Sequence, residues 1–200
     1  MSTTGGTWMP HTPDWITPSG WEVADAHLLS YGMIRTTRQP WVVGVPAALS
    51  WVRGGRVGPV TERTEQPVTR DLADAERWAA EAARDPNDPP PLAAICEQLG
   101  VALAFPKPDT HPGYAVGVWR ALRWVLGVPD QACPVAVPRR HPDGRLFTAD
   151  DLYREATHGK MDRLSPEQRA QIRLRAEVDA IQYERYEEQI TALEQAPSVS

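Results

Sequence analysis

The chain has 200 residues, of which 42% are hydrophobic and 24% charged, and its formal net charge is −5. This composition is that of a folded globular protein and excludes wholesale disorder. The acidic balance disfavours a dedicated nucleic-acid binder, because such proteins usually carry a basic face. Two cysteines are too few for a disulfide scaffold of this length.

The location of the protein is predicted from two further features. The N-terminal residues contain neither the basic nor the apolar region of a signal peptide. The most apolar stretch, residues 114–128, is interrupted by Arg120 and Arg123, and it is shorter than the roughly 20 apolar residues of a membrane span. We therefore expect a cytoplasmic protein, or one assembled into a larger particle.

Residues 1–20 are predicted to form an extended arm without regular structure, because they are rich in Thr, Pro and Gly. Trp8, Trp15 and Trp21 recur along this stretch. A tryptophan hides roughly 150–250 Å² when it is buried, so the arm should dock on another surface. It could lie on its own domain as a clasp, or bind a partner as a linear peptide.

The first helix is predicted from Ser19 and Glu22, which have the spacing of a capping box at the start of residues 21–31. The next segment, residues 41–61, leaves two alternatives open. It could form a short β-hairpin, or Pro46 could open a short helix that ends at Gly54.

Three helices are predicted in the middle of the chain. Residues 69–84 have apolar side chains at helical spacing, with Thr69 as N-cap. Residues 92–99 are predicted to form a short helix closed by Gly100, and we expect a strand over residues 101–105. Residues 113–126 are apolar nearly all round, which is typical of a helix buried on several sides.

Residues 135–148 favour a small hairpin, because Pro142, Asp143 and Gly144 are strong turn formers. Thr148 should then cap a short helix. The fold class predicted is mainly α: a compact helical domain with one or two short β-hairpins, an extended N-terminal arm and a long C-terminal helix. The predicted divisions are 1–20, 21–160 and 161–200.

The long C-terminal helix, residues 166–194, is predicted to carry two apolar faces displaced by roughly 100–150°. One consists of Ala170, Leu174, Val178 and Ile181, and the other of Tyr183, Tyr186, Ile190 and Leu193. Because one straight helix cannot lay both on one flat surface, we expect the first half to pack on its own domain. The second half would then contact a second copy or another protein. Residues predicted to bind a partner are Trp8, Trp15, Tyr183, Tyr186, Ile190 and Leu193.

The sequence contains no clear catalytic, metal-binding or cofactor-binding motif. Gly159 and Lys160 are followed by Met161, which breaks the pattern of a phosphate loop. The histidines and cysteines are scattered, unlike zinc ligands, and Cys96 lies on an apolar helix face. The acidic pair Asp150/Asp151 suits the dipole at the start of a helix. The pair Glu184/Glu188 is explained as part of a solvated helix face. We predict no catalytic residue, no metal and no cofactor.

An alternative function is nucleic-acid regulation through local arginine clusters. Arg120 and Arg123 on one helix, with Arg139 and Arg140 beside the predicted hairpin, could form a basic surface with neighbouring aromatic rings. Arginine also pairs with carboxylates and covers apolar surface.

Two segments of the chain carry a resemblance to other proteins: residues 114–127 (YAVGVWRALRWVLG) and residues 67–78 (PVTRDLADAERW). They resemble small uncharacterised proteins of actinobacteria, their prophages and their phages. The resemblance extends over residues 41–157. The resemblance transfers no functional residue. It implies a bacterial or phage origin and favours a structural or assembly role in a phage or phage-like particle. We therefore expect a non-enzymatic interaction protein with a protein partner and no membrane association.

Overall fold

The computed structural model describes residues 12–196, which fall into two compact units, residues 12–136 and 137–196. The predicted boundaries after residues 20 and 160 do not coincide with this division. Trp8 lies outside the described residues.

The described residues form seven α-helices and one 3-10 turn, which confirms a mainly helical fold. The N-terminal unit contains α1 (Gly20–Ile34), α2 (Pro40–Val52), α3 (Arg70–Arg84), α4 (Leu92–Leu99) and α5 (Pro112–Val125). The C-terminal unit contains α6 (Ala149–Thr157), the 3-10 turn Met161–Arg163 and α7 (Pro166–Gln195).

Helix α5 is the centre of the N-terminal unit, with α2 and α3 packed against it, α1 against α2, and α4 against α3. Its Val118, Leu122 and Val125 are fully buried, as the nearly continuous apolar surface predicts. Where α2 crosses α5, Gly44 and Gly117 leave room for the two backbones to touch. A β-carbon at either position would overlap the backbone of the other helix.

The helix starts follow the local sequence closely. Ser19, Thr148 and Ser165 each form a capping box with the residue three positions on, and Thr69 accepts a hydrogen bond from the Leu72 amide. These side chains satisfy amides that would otherwise lack partners in the first turn. Helix α4 ends at Gly100, whose φ of 66° is the left-handed conformation that glycine adopts readily.

Residues 41–61 take the helical alternative, but Pro46 does not open the helix, because α2 begins at Pro40 and extends through Pro46 to Val52. Proline inside a helix removes a backbone hydrogen bond. Here burial outweighs that cost, since Val42, Val45, Leu49 and Trp51 are almost completely buried. The turn at Gly54, with a φ of 110°, ends the segment.

The predicted β-hairpins are not present in residues 12–196. Residues 135–148 form the expected turn, but its arms make only one isolated antiparallel bridge, between Arg140 and Leu146. Pro134, Pro138 and Pro142 remove the amide donors that a longer ladder would need. Residues 101–105 have no strand partner among the described residues, so they are not a strand.

The described part of the arm lies on the N-terminal unit as a clasp. The Trp15 indole donates to the Val68 carbonyl at 3.0 Å, and the Thr17 amide donates to the Val125 carbonyl at 2.9 Å. The Arg70 guanidinium donates to the carbonyl oxygens of Trp15 and Leu126. Ile16 is buried. These contacts favour the clasp over a free docking peptide for residues 12–19.

Candidate interaction surface

Helix α7 has one covered face between Ile172 and Ile190. Ile172, Ala176, Tyr183 and Ile190 follow one another at spacings of four, seven and seven, so they share one side of the helix. Ala176 and Ile190 are buried, and Ile172 and Tyr183 are half-buried. Within the C-terminal unit, α6 packs against α7.

The opposite side of α7 carries an exposed apolar ridge, which we define as Leu174, Val178 and Ile181. Their exposed fractions are 63%, 41% and 51%. They lie about 180–240° around the helix from Ile172, at about 100° per residue. Ala170 is exposed as well. The expectation that the first half of this helix packs inward through Ala170, Leu174, Val178 and Ile181 is therefore wrong. The small side chain of Ala176 and its neighbour Ile172 form the inward face instead.

The second predicted face of α7 is more covered than expected. Ile190 is only 4% exposed, while Tyr183, Tyr186 and Leu193 are half-buried. Burial raises the pKa of the Tyr183 hydroxyl above its usual value. A role for these four residues in binding a partner stays a prediction, as does that of Trp15, which is half-buried in its clasp.

A groove lies beside the ridge, between α7 and the segment leading into α6. It has a volume of about 420 Å³. Apolar side chains form most of its lining, and Ile181 belongs to both the ridge and the groove. The lining residues are Leu146, Phe147, Thr148, Ala149, Glu177, Ala180, Ile181 and Glu184.

The outer wall of the groove is held by Phe147, whose ring is stacked on His141 with centroids 4.1 Å apart. The Arg139 guanidinium lies 4.6 Å from the same ring. The Phe147 amide donates to the Arg139 carbonyl at 2.9 Å. The wall is therefore in place before any partner arrives, which lowers the entropy cost of binding.

Asp151 anchors the end of this wall. Its carboxylate accepts hydrogen bonds from the amide and hydroxyl of Thr148, from Arg145 and from the ring of His141 at 3.1 Å. The hydrogen bonds from Thr148 are the main reason that the pKa of this carboxyl is held well below its usual range. Asp151 therefore stays charged, and it completes the capping box of α6, in which Thr148 is the N-cap.

Two ion pairs accompany the burial of Ala176 and Ile190 on the inward face of α7. Arg140 pairs with Glu187, and Arg173 pairs with Asp150 at 2.5 Å while its guanidinium lies 4.1 Å from the ring centroid of Tyr153. These contacts hold the inward face toward its neighbours within the C-terminal unit. As a result, the ridge cannot turn inward without breaking them.

Glu177 and Glu184 are the two acids of this unit that line the groove. Glu155, Glu187, Asp150 and Asp179 each pair with an arginine. Glu177 and Glu184 line the groove, and neither has a hydrogen bond or ion pair in residues 12–196. They are seven residues apart, about 10.5 Å along the helix. The groove is thus apolar with two available carboxylates.

The arginines predicted for nucleic acid already contact rings or carboxylates. In the N-terminal unit, Arg123 lies 4.5 Å from the ring centroid of Trp119 and Arg120 lies 5.9 Å from that of Trp41. In the C-terminal unit, Arg139 pairs with Glu155, and Arg140, whose side chain is 7% exposed, pairs with Glu187. Of these four arginines, only Arg120 is exposed, and the other three residues as a whole are half-buried.

Other chemistry-bearing groups serve packing. Cys96 is buried, and burial raises the pKa of the Cys133 thiol to about 12, which keeps it protonated at neutral pH.

Among the described residues no group of three or more His, Cys, Asp and Glu side chains could hold a metal ion. None of the helices in residues 12–196 combines the length and the apolar character needed to cross a membrane.

The groove and its two carboxylates are not among the sites predicted from the sequence. One signal was present, since Glu177 and Glu184 flank the apolar positions of α7 on one side at a two-turn spacing. The contribution of Leu146 and Phe147 could not be seen, because it depends on how the turn at residues 141–144 places them beside α7. Comparison with protein-family models, curated proteins and solved structures finds no match.

Proposed function

We propose that the chain is a non-enzymatic interaction protein that joins a larger assembly through the α7 ridge. One observation carries this proposal: three aliphatic side chains are exposed on the side of α7 opposite its covered face. Apolar surface in water is costly at roughly 25 cal/mol per Å². Aliphatic residues that share one helix face form a continuous patch, which is typical of protein contact sites.

The rigidity of the surface supports the proposal. Burial of Ala176 and Ile190, together with the ion pair of the buried Arg140 side chain, orients α7, so the ridge is presented to solvent in a defined orientation. Preorganised surfaces lose less entropy on binding. The engagement of Arg123, Arg139 and Arg140 with rings and carboxylates makes the nucleic-acid alternative less favoured.

Site-specific photo-crosslinking in the native host tests this function. A photoreactive phenylalanine analogue is placed at Val178 on the ridge and, as control, at Arg154, whose exposed side chain lies on α6. We expect a discrete crosslinked product from position 178 that mass spectrometry identifies as one protein. The same product should disappear when Leu174→Ser is added.

Two results would contradict the proposal. One is the absence of any product from position 178, and the other is an identical product pattern from positions 178 and 154. A subunit of a phage or phage-like particle is one form of this function, and in that form the crosslinked protein would be a particle protein. Identification of the product therefore tests the setting as well as the surface.

A further inference from the structure

The α7 groove has a chemistry that selects its occupant. We infer that it binds a basic amphipathic helix of another protein, one whose apolar residues lie beside Lys or Arg residues on one flank. This inference rests on the proposed interaction function and names its partner. It follows from the apolar lining and from the two carboxylates that have no partner in residues 12–196.

The apolar part of the site fits a helix. Leu146, Phe147 and Ala149 form one wall, while Ala180 and Ile181 form the other. The small side chains Ala149 and Ala180 leave the space that gives the groove its volume of about 420 Å³. An amphipathic helix presents apolar side chains at spacings of three and four, which suits an apolar groove lined by two turns of α7.

The charged part of the site determines which helix binds. Glu177 and Glu184 lie on the flank of α7 that lines the groove, two helical turns apart. A partner helix alongside α7 can place cations at the same interval, seven residues apart on its own flank. Burying the carboxylates without cations would cost free energy, so an acidic or neutral helix is disfavoured.

A second copy of this chain is a weaker occupant. A two-fold contact brings the same surface of both copies together. Glu177 and Glu184 would then meet the same residues of the other copy in one interface. Like charges placed together disfavour association, and this favours a partner of opposite charge.

Designed peptides provide the test. A fluorescent helical peptide of about 18 residues carries leucines at helical spacing and arginines seven apart on one flank. A matched peptide carries glutamates in place of the arginines. Fluorescence anisotropy with the full chain should show micromolar binding of the basic peptide only. Binding should weaken as salt rises from about 50 mM to about 300 mM, because salt screens the charge contacts.

Variants of the chain locate the binding. The double variant Glu177→Gln/Glu184→Gln should weaken binding of the basic peptide by about tenfold or more. Glu167→Gln/Glu194→Gln makes the same charge change on α7 outside the groove, and it should leave binding unchanged. Ile181→Asp should abolish binding, while its thermal unfolding stays close to that of the wild type because Ile181 is 51% exposed.

Three results would overturn the inference: no binding of the basic peptide, equal binding of both peptides, or binding that Glu177→Gln/Glu184→Gln does not weaken. A dimer in light scattering that Ile181→Asp dissociates would do the same, since it would make a second copy the occupant. If crosslinking from position 178 persists in any of these cases, the interaction function stands and only its partner chemistry is wrong. Loss of both results would remove both.

Discussion

Gly44 of α2 and Gly117 of α5 lie against each other where the two helices cross. A β-carbon on Gly44 would lie 3.2 Å from the Cα of Gly117 and closer still to the Tyr114 carbonyl oxygen. The contact joins two backbones, which cannot give way as a flexible side chain can. The close packing of these helices therefore depends on glycine at both positions.

Gly117→Ala should lower the free energy of unfolding by about 2–3 kcal/mol, because the added methyl group forces α2 and α5 apart. Chemical denaturation followed by circular dichroism measures this change. Ser50→Ala alters an exposed position of α2 and should have little effect. A Gly117→Ala protein as stable as the wild type would show that the helices are not packed this closely.

Glu76 is a fully buried carboxylate that holds the loop between α2 and α3. It accepts hydrogen bonds from the amides of Val60 and Thr61 and pairs with buried Arg63 at 3.3 Å. Glu76→Gln should destabilise the chain by about 3–5 kcal/mol, because it leaves the Arg63 charge buried without a counter-ion. Denaturant unfolding measures the loss, with exposed Glu97→Gln on α4 as control.

The double variant Glu76→Gln/Arg63→Met tests that explanation. Removing the uncompensated charge should restore part of the stability lost in Glu76→Gln. If the double variant is as unstable as the sum of the two single variants, the ion pair is not the reason for the loss.

His27 should make the stability of the chain depend on pH. Burial, followed by the charge of Arg53, lowers the pKa of His27 from 6.5 to about 4. Between about pH 6.5 and about pH 4 the His27 imidazole is therefore protonated in the unfolded chain but neutral in the folded chain. Stability should fall as the pH drops from about 6.5 to about 4, by of the order of 2–3 kcal/mol.

Unfolding free energies measured across this pH range test the role of His27. His27→Gln should make the profile flatter, while exposed His158→Gln should leave it unchanged. An unaltered pH profile in His27→Gln would assign the acid sensitivity to other groups.

Trp15 should stabilise the N-terminal unit through its indole nitrogen. Trp15→Phe keeps most of the apolar surface but removes the hydrogen bond to the Val68 carbonyl, so we expect a loss of about 1 kcal/mol. Trp21→Phe is the matched control, because the Trp21 indole nitrogen is buried without a hydrogen-bond partner. Thermal or chemical unfolding compares the two. Equal losses would mean that the Trp15 hydrogen bond contributes nothing.

The helix starts could be predicted from the sequence because they depend on contacts within one turn. Ser19, Thr69, Thr148 and Ser165 were identified as caps from the side chains that follow them. The same local logic failed for residues 41–61. There the choice between hairpin and helix depended on the packing of α2 against α1 and α5. The spacing of residues within the segment contains no information about that packing.

The candidate surface, unlike the helix starts, could not be predicted from contacts within one turn. The sequence by itself determined that α7 is long and that it carries apolar residues on more than one side. Which side faces inward was decided only by tertiary contacts: close packing at Ala176 and Ile190 and the ion pair of the buried Arg140 side chain. Helical periodicity defines the relative angles of side chains but not the rotation of the helix against its neighbours. That rotation leaves the ridge exposed and places Glu177 and Glu184 along the groove.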